Sequence, residues 1–417
     1  MSSFDGTVAV VGLGYIGLPT AVMLAAKGTD VVGVDVNKRT VDMVNKGELP
    51  FAEPDLETSL SGVVARGRLR ATTEVPEADA YIIAVPTPFQ ADHTADLGYV
   101  EAAVTSIAPK LRPGAIVVVE STSPPGTTQK VTEWLAAQRP DLKMPHDGVA
   151  HPDIHVAHCP ERVLPGSIMV EMVINDRVVG GITAQCAEKA AAIYRVFCQG
   201  EIQLCDAASA EMAKLVENSY RDVNIAFANE LSMICDKIGL DVWEVIKLAN
   251  HHPRVNILKP GPGVGGHCIA VDPWFIVGAA PELARLVRTA REVNDSKPHY
   301  VVDHVVRSVE RFREPEIACL GLTFKANVDD IRESPAVEIV HMLAERLPNV
   351  TINVADPMIA ELPADLAALP NLKFAKAATA VAQSDVVLLL VDHDAFRSVS
   401  RPMLDGKVVF DTRGYWR

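Results

Sequence analysis

The sequence predicts an α/β protein in which two parallel-sheet domains flank a central helical region. Near both ends of the chain, short apolar runs typical of buried strands alternate with helical patterns. A glycine-rich turn follows the first apolar run, and residues 207–238 keep a helical pattern without interruption. We place the domain boundaries at residues 1–205, 206–312 and 313–417.

The composition limits the classes of partner. The 417 residues are enough for two or three domains, and the formal net charge is −14. That charge opposes non-specific binding to nucleic acid and to anionic membranes. No apolar run has the length of a membrane-spanning helix, and the first residues lack the features of a signal peptide. The cysteines are odd in number and scattered, so we expect a reduced, cytoplasmic protein.

The first glycine-rich turn has the spacing of a dinucleotide-binding site. The apolar run 7–11 precedes it, and the predicted helix and strand that follow lead to Asp35. The glycines allow a tight turn and let a pyrophosphate approach the helix N-terminus, where unpaired N–H groups favour anions. We expect Asp35 to bind the ribose hydroxyls and to repel a 2′-phosphate, so NAD is favoured over NADP. The candidate cofactor residues of this turn are Gly12, Gly14, Tyr15, Ile16 and Gly17.

Two further strand ends carry threonine hydroxyls. Residues 81–85 lead into Thr87, and residues 115–119 lead into Thr122. Strand ends in a doubly wound sheet face the ligand crevice, so Thr87 is a candidate cofactor contact and Thr122 a candidate contact to cofactor or substrate. The alternative for Thr122 is a hydroxyl that caps the helix following it.

A run of histidines precedes a candidate carboxylate. His151, His155 and His158 suggest a metal site, but the surrounding residues predict extended chain, in which His158 faces away from the other two. We therefore favour no metal. Glu161 follows as a carboxylate able to hold a water, and its alternative is a solvated loop acid.

The long helical pattern carries a candidate oxyanion site. Lys214 and Asn218 lie about one turn apart and share a face of the helix. An ammonium group beside an amide is able to stabilise an oxyanion. The alternative is a solvated helix face.

A second glycine-rich segment, residues 261–274, presents Cys268 with Asp272 four residues later. Its glycines and prolines predict a loop whose backbone can approach a ligand closely. A cysteine becomes a strong nucleophile when its site lowers its pKa or takes its proton. The alternative is a tight turn with a buried cysteine.

The C-terminal region weakly repeats the pattern of the N-terminal region. Strands are predicted at residues 317–320, 351–355 and 408–410. No G-x-G-x-x-G motif occurs there, so this domain is less suited to a dinucleotide. The candidate contacts to a phosphate or a base are Lys325, Arg332 and Arg413.

In this order, the motifs resemble those of the UDP-glucose/GDP-mannose dehydrogenase family over essentially the whole chain. The matching segments are residues 12–17, 121–128, 160–162, 214 with 218, 261–272, 324–325 and 330–334. The resemblance implies oxidation of a nucleotide-sugar 6-hydroxymethyl group to a carboxylate with two NAD+. It also implies an N-terminal Rossmann-type NAD domain, a central helical dimerisation region with a long helix, a C-terminal Rossmann-like UDP domain, and a homodimer or an oligomer built from dimers.

The resemblance further implies catalytic roles. Asp272, with Glu161 as the second candidate, holds the water that accepts the hydroxyl proton. Cys268 then attacks the aldehyde, and Lys214 with Asn218 stabilises the oxyanion. The resemblance also implies that the second oxidation leaves a thioester on Cys268. Thr122 and Glu161 then position the water that hydrolyses this thioester.

The remaining implied roles are in binding. Arg332 joins the cofactor contacts. Arg254 reaches the substrate site of the partner subunit. The implied substrate contacts are Glu161, Arg162, Lys214, Asn218, Arg254, Gly265, Lys325 and Arg413.

Within the family, the cysteine loop departs from the UDP-glucose branch. That branch carries Gly-Gly-Ser-Cys-Phe-Pro-Lys-Asp where this chain has Gly-Gly-His-Cys-Ile-Ala-Val-Asp at residues 265–272. Residues 252–258 and 268–277 are similar to the bacterial branch that acts on UDP-N-acetyl-D-mannosamine. UDP-N-acetyl-D-glucosamine is the alternative substrate, and UDP-glucose is less favoured. A two-electron hydroxyacid dehydrogenase and a non-catalytic nucleotide sensor also stay open, and the yield of NADH per sugar separates these classes.

Overall fold

The computed structural model describes residues 4–51, 53, 55–90, 93–163, 166–266 and 268–417. The chain divides into two compact units, Met1–Glu217 and Asn218–Arg417. The division falls inside the long central helix. The three-domain boundaries expected from the sequence stay a prediction.

The first unit is built on one eight-stranded sheet. Its strands are β1 (Thr7–Val11), β2 (Asp30–Val34), β3 (Leu69–Thr72), β4 (Ala80–Ile83), β5 (Ile116–Val119), β6 (His155–His158), β7 (Arg177–Gly181) and β8 (Ile202–Asp206). Their spatial order is β3-β2-β1-β4-β5-β6-β7-β8, and neighbours are parallel except for the antiparallel pair β6 and β7. This is a doubly wound sheet, in which ligands bind at the carboxyl ends near the reversal between β1 and β4.

Helices cover both faces of this sheet. They are α1 (Gly17–Ala26), α2 (Lys38–Lys46), α3 (Leu56–Ala65), α4 (Gly98–Ile107), α5 (Thr127–Gln138), α6 (Ile168–Ile174) and α7 (Ala184–Tyr194). Side chains alternate along β1, so Val8 and Val10 enter one buried cluster and Ala9 and Val11 enter another. Burial on both faces explains why the central strands β4 and β5 are apolar throughout.

The chain between the two sheets is mainly helical. Its helices are α8 (Ala207–Ile238), α9 (Val242–Ala249), α10 (Asp272–Ala279) and α11 (Arg285–Val309). Helix α8 ends before Gly239, whose φ of 76° is a left-handed conformation that favours glycine. Asp241 then caps α9, because its carboxylate accepts a hydrogen bond from the Trp243 N–H at 2.9 Å.

A five-stranded parallel sheet forms the C-terminal part of the second unit. Its strands are β9 (Glu316–Leu320), β10 (Thr351–Ala355), β11 (Leu372–Phe374), β12 (Val386–Leu389) and β13 (Val408–Asp411). The helices of this part are α12 (Pro335–Arg346), α13 (Ala364–Ala367) and α14 (Ala377–Gln383). The strand order β11-β10-β9-β12-β13 repeats the order of the first five strands of the N-terminal sheet.

The α/β fold class is confirmed, and three predicted elements have the predicted bounds. These are the strands at 7–11 and 351–355 and the helix at 207–238. Helix α11 begins at Arg285, and Ala284 before it supplies no side-chain cap. Within the described part of the chain, no helix is both long and apolar enough to cross a membrane.

Candidate active site

The three glycines of the first turn serve three different purposes. Gly12 has a φ of 97°, and a Cβ there would lie 2.4 Å from the carbonyl oxygen of Ala84. A Cβ on Gly17 would lie 1.9 Å from the carbonyl oxygen of Gly12, so this glycine allows α1 to pack against the turn. Gly14 is exposed and faces open space. Gly14 is therefore the position where a ligand can approach the backbone.

Asp35 holds the glycine turn in place. Its carboxylate accepts hydrogen bonds from the Leu13 N–H at 2.9 Å and from the Asn37 N–H at 2.8 Å. The first turn of α1, all of which the structure describes, carries no acidic side chain. An uncapped helix N-terminus beside an open glycine suits the pyrophosphate of a dinucleotide, and Asp35 at the end of β2 is placed for a ribose. Next to the turn, the Tyr15 ring stacks on Phe51 with centroids 4.2 Å apart.

The loops after β4 and β5 are joined to each other. The Thr87 hydroxyl donates to the carbonyl oxygen of Thr122 at 2.6 Å, and the Ser121 hydroxyl donates to that of Val85 at 2.7 Å. The strand ends that the sequence predicts to face the ligand are thus brought together. The Thr122 side chain is half-buried.

The interpretation of Thr122 as a helix cap is wrong. The residue before α5 is Gly126, and the free amides are satisfied by Glu211 from α8. The Glu211 carboxylate accepts hydrogen bonds from the Gly126 N–H at 2.6 Å, from the Thr128 N–H at 2.7 Å and from the Thr128 hydroxyl at 2.6 Å. Burial raises the pKa of Glu211, and these hydrogen bonds oppose the rise.

Glu161 is not a solvated loop acid, which was the alternative from the sequence. It is 7% exposed, and its carboxylate accepts hydrogen bonds from the Arg177 guanidinium at 2.9 Å and from the Arg162 N–H at 2.7 Å. The Arg162 guanidinium pairs with Glu217, with nitrogen–oxygen distances of 2.6 and 3.1 Å. The structure therefore holds Glu161 in one orientation by two donors.

The second unit brings Asn218 and Asp272 together. The Asn218 amide donates to the Asp272 carboxylate at 2.5 Å, and Asp272 is buried at the start of α10. The N–H of Asp272 in turn donates to the carbonyl oxygen of Cys268 at 2.8 Å, which closes a turn. Cys268 is exposed on this turn, so the alternative of a buried cysteine is wrong. Lys214, one turn before Asn218 on α8, is half-buried.

The glycines around Cys268 accommodate the chain itself. A Cβ on Gly265 would lie 2.2 Å from the carbonyl oxygen of Glu333, and one on Gly266 would lie 3.1 Å from the Phe324 ring. The sequence predicted a close approach to a ligand, whereas at these positions the close neighbours are residues from the segment between β9 and α12. This segment also carries the candidate residues Lys325 and Arg332. His267 lies outside the described residues.

The candidate arginines of the second unit have different surroundings. Arg332 pairs with Asp330 through two hydrogen bonds of 2.6 and 2.8 Å, and Arg413 donates to Asp392 at 3.0 Å. Lys325 is exposed. Arg254 is also exposed, and its N–H donates to the His252 ring at 3.3 Å.

The turn after β9 repeats the hydrogen bonds of the turn after β1. Gly321 donates to the carbonyl oxygen of Ala355 at 2.8 Å, as Gly12 does to that of Val34. Asp356 accepts from the Leu322 N–H at 2.6 Å and from the Met358 N–H at 2.7 Å, the bonds that Asp35 makes in the first sheet. The weak repeat in the sequence is therefore a repeat of turn geometry.

Comparison with known families decides what this arrangement belongs to. Three domain models of one family match the chain: the NAD binding domain at residues 6–198, the central domain at 208–296 and the UDP binding domain at 318–417. The chain belongs to the UDP-glucose/GDP-mannose dehydrogenase family. It is an NAD-dependent nucleotide-sugar dehydrogenase, and the prediction of NAD as cofactor is confirmed.

Individual relatives cover nearly the full length. A Ralstonia nicotianae protein named NDP-N-acetyl-D-galactosaminuronic acid dehydrogenase is 57% identical over 98% of this chain and 96% of its own. The UDP-N-acetyl-D-mannosamine dehydrogenase of Salmonella typhi is 54% identical over 99% of both chains. A solved UDP-N-acetyl-mannosamine dehydrogenase of Staphylococcus aureus is 42% identical, with a TM-score of 0.85 over 99% of this chain and 96% of that one.

Sequence reasoning missed three buried charged residues of this dehydrogenase, namely Glu120, Arg177 and Glu211. Arg177 and Glu211 bind candidate segments that are distant in the sequence, and Glu120 lies beside Arg177, so no local spacing reveals them. The available signal was the residue type alone, because a charged side chain inside an apolar pattern needs a partner.

Proposed function

We propose that this enzyme oxidises the C6 hydroxyl of a UDP-N-acetylhexosamine to the carboxylate through a covalent intermediate on Cys268. The observation that carries the proposal is the turn at Cys268. There an exposed thiol lies four residues before a buried carboxylate, Asp272, which is hydrogen-bonded to Asn218 at 2.5 Å. An accessible nucleophile beside an oriented acid–base group is the arrangement that covalent catalysis needs.

The first candidate sugar is UDP-N-acetyl-D-mannosamine. Supporting it are the departure of residues 265–272 from the UDP-glucose pattern and the 54% identity to a UDP-N-acetyl-D-mannosamine dehydrogenase. A galacto-configured N-acetylhexosamine is the second candidate, because a relative named for such a product is 57% identical. UDP-N-acetyl-D-glucosamine is the third sugar to test.

The first oxidation forms an aldehyde. NAD, held by the turn at residues 12–17 and by Asp35, would supply the hydride acceptor for each of the two oxidations of C6. We assign to Asp272 the holding of the water that takes the hydroxyl proton, with Glu161 as the second candidate. The Cys268 thiolate then adds to the aldehyde carbon. The Lys214 ammonium and the Asn218 amide stabilise the new oxyanion.

The second oxidation converts the adduct on Cys268 into a thioester. Water positioned by Thr122 and Glu161 attacks the thioester carbon, breaks the carbon–sulfur bond and returns the thiol. One hydroxymethyl group, two NAD+ and one water give one carboxylate, two NADH and three protons. The covalent bond keeps the aldehyde from leaving between the two oxidations.

The binding groups follow the same assignment. For NAD they are the open turn at residues 12–17, Asp35, Thr87, Thr122 and Arg332. For the UDP-sugar they are Glu161, Arg162, Lys214, Asn218, Arg254, Gly265, Lys325 and Arg413. Arg162 and Arg332 are already paired with Glu217 and Asp330, so a ligand must compete with these carboxylates.

The proposed enzyme is a homodimer or an oligomer built from dimers. Helix α8 exposes large apolar side chains at positions seven residues apart: Tyr220 is 71%, Phe227 54% and Ile234 49% exposed. Seven residues are close to two helical turns, so these side chains form one stripe. A stripe of this kind supports pairing with a second copy of the same helix. Phe227→Glu is expected to lower the molar mass in light scattering from that of a dimer to that of a monomer.

The test of the proposed function is turnover of purified enzyme with NAD+ and a panel of UDP-sugars. The panel contains the N-acetylated manno, galacto and gluco sugars and UDP-glucose. We expect two NADH per sugar and a uronate product with one N-acetylated sugar. One NADH per sugar would contradict the four-electron reaction, and no NADH with any of the three N-acetylated sugars would overturn the proposed substrate class.

A further inference from the structure

The buried guanidinium of Arg177 makes the closest side-chain contact to Glu161. Arg177 is 3% exposed, and its Nη2 donates to Glu161 Oε2 at 2.9 Å. The rings of Tyr194 and Phe197 lie against the guanidinium, with their centroids 4.9 and 5.2 Å from its Cζ atom. This packing fixes the plane of the guanidinium and therefore the direction of its hydrogen bond.

The antiparallel strand β7 explains why these two residues meet. Ala157 pairs with Gly181 and His158 with Gly180. Continuing this register by three residues places Glu161 opposite Arg177, the first residue of β7. A parallel β7 would carry Arg177 to the other end of the sheet, so the reversal of strand direction creates the pair.

A second carboxyl group, Glu120, shares Arg177. Glu120 is 1% exposed, its Oε1 lies 4.0 Å from Arg177 Nη1, and it accepts a hydrogen bond from the Thr20 hydroxyl at 3.1 Å. Burial raises the pKa of Glu120 to about 8, the charge of Glu161 adds to this rise, and Arg177 opposes it. At neutral pH Glu120 therefore keeps its proton and is uncharged. Glu161 is then the carboxylate that pairs with the positive charge of Arg177.

We infer that Arg177 is a positioning residue for thioester hydrolysis, because it fixes the carboxylate of Glu161 that orients the attacking water. The inference rests on the proposed function, in which Glu161 and Thr122 hold that water. The two oxidations precede this step. With Asp272 as the group that serves the hydroxyl oxidation, a change at Arg177 leaves the two oxidations intact and slows hydrolysis.

The test uses the full-length enzyme with the UDP-N-acetylhexosamine that it turns over. Arg177→Lys keeps the positive charge and removes the planar fork. We expect a rapid burst of two NADH per active site, within about twofold of the wild-type rate, followed by turnover roughly tenfold or more slower. Rapid-quench mass spectrometry should then find the acyl group on Cys268.

Two further variants accompany this test. Phe197→Leu loosens the packing of Arg177 without changing a charge, and it is expected to accumulate the same adduct to a smaller extent. It also carries the test if Arg177→Lys fails to fold, as judged by circular dichroism and by NAD+ affinity. Arg139→Lys is the matched control, because Arg139 of the same unit also donates to a carboxylate, Asp141, and to backbone carbonyls. It should accumulate no adduct.

The possible outcomes are distinguishable. An equal loss of burst and turnover without an adduct, in both Arg177→Lys and Phe197→Leu, would reduce Arg177 to a structural role and overturn the inference alone. An adduct of equal amount in Arg139→Lys would also overturn it. If Cys268→Ser still yields two NADH per sugar, the covalent route itself is wrong, and both proposals fall.

Discussion

Cys268 differs from the other cysteines in its surroundings. It is exposed on a turn, whereas burial raises the pKa of Cys159 and of Cys319 to about 12. A buried thiol with a raised pKa stays protonated and is a poor nucleophile. Exposure thus distinguishes Cys268 from the buried and half-buried cysteines as the accessible nucleophile for the proposed chemistry.

Cys268→Ser is expected to stop the reaction before the thioester forms, while the Kd for NAD+ changes by less than about twofold, because Cys268 lies in a different loop from the glycine turn at residues 12–17. A serine hydroxyl is a weak nucleophile at neutral pH. The measurements are the single-turnover yield of NADH and the NAD+ affinity. Cys205→Ser, at a half-buried cysteine of β8, is the control. Two NADH per sugar at near the wild-type rate would exclude the covalent role.

Asp35 combines two tasks in one carboxylate. Its two oxygens hold the N–H groups of Leu13 and Asn37, and its charge is predicted to repel a 2′-phosphate. The sequence motif indicated the second task. Only the structure shows the first, because hydrogen bonds to a turn leave no pattern in the residue spacing.

Two variants separate these tasks. Asp35→Ala and Asp35→Asn should both raise the ratio of kcat/KM for NADP+ to that for NAD+, because the charge is lost in each. Asp35→Ala should also weaken NAD+ binding more, since it leaves the part-buried Leu13 N–H of the turn without its acceptor, at a cost of roughly 1–3 kcal/mol. An unchanged cofactor ratio in both variants would place Asp35 away from the ribose.

At the scale of elements, the ends of β5 and β6 and the start of β7 enclose a buried charged cluster. Glu120 follows β5, Glu161 lies beyond β6 and Arg177 begins β7. With both carboxyls ionised, the cluster would carry one uncompensated negative charge inside the protein, which is costly. The raised pKa of Glu120 avoids this charge at neutral pH.

The cluster predicts a dependence of stability on pH. Folding raises the pKa of Glu120 from 4.5 to about 8, so within this range the folded state holds a proton that the unfolded state has released. Stability therefore falls as pH rises through that range. Burial lowers the pKa of His158 to about 3 and the pKa of Lys297 to about 8. His158 therefore makes stability rise with pH below pH 6.5, and Lys297 makes stability rise with pH above pH 8.

The window between about pH 6.5 and pH 8 thus isolates Glu120 from these two groups. Glu120→Gln keeps the shape of the protonated acid and cannot ionise. We expect the Tm of the wild type to fall more steeply across this window than the Tm of Glu120→Gln. Parallel curves for the two proteins would show that Glu120 is already ionised at pH 6.5.

At the scale of the whole molecule, the proposed dimer raises the question whether one active site uses residues from one chain or from two. Arg254 is exposed after α9, and the family resemblance implies that it serves the partner subunit. A two-fold interface permits such an exchange, because each subunit offers the same surface to the other.

Mixing two inactive variants tests the exchange. Cys268→Ala and Arg254→Ala chains are combined, and dimers are allowed to re-form. If Arg254 acts on the partner subunit, each mixed dimer has one site with both groups intact, and random pairing restores about one site in four. If Arg254 acts within its own chain, every site keeps one defect. A mixture no more active than its components, with exchange shown by a tag on one chain, would reject the assignment.

The sequence alone determined the parts of this protein that depend on local chemistry. The glycine turn at 12–17 between β1 and α1, the 207–238 helix and the turn bearing Cys268 follow from apolar periodicity, glycine and proline. These signals act over a few residues. They were therefore readable without knowing which elements are neighbours.

The tertiary structure decided which distant residues meet. Arg177 lies opposite Glu161 only because β7 runs antiparallel, and Glu211 reaches the start of α5 only because α8 passes beside it. Gly265 and Gly266 make room for Glu333 and Phe324. From the sequence alone, these glycines were expected to make room for a ligand. The physical reason is that strand direction and helix packing are set by the free energy of the whole core. The spacing of residues along the chain does not by itself specify which strand direction or helix packing has the lowest free energy.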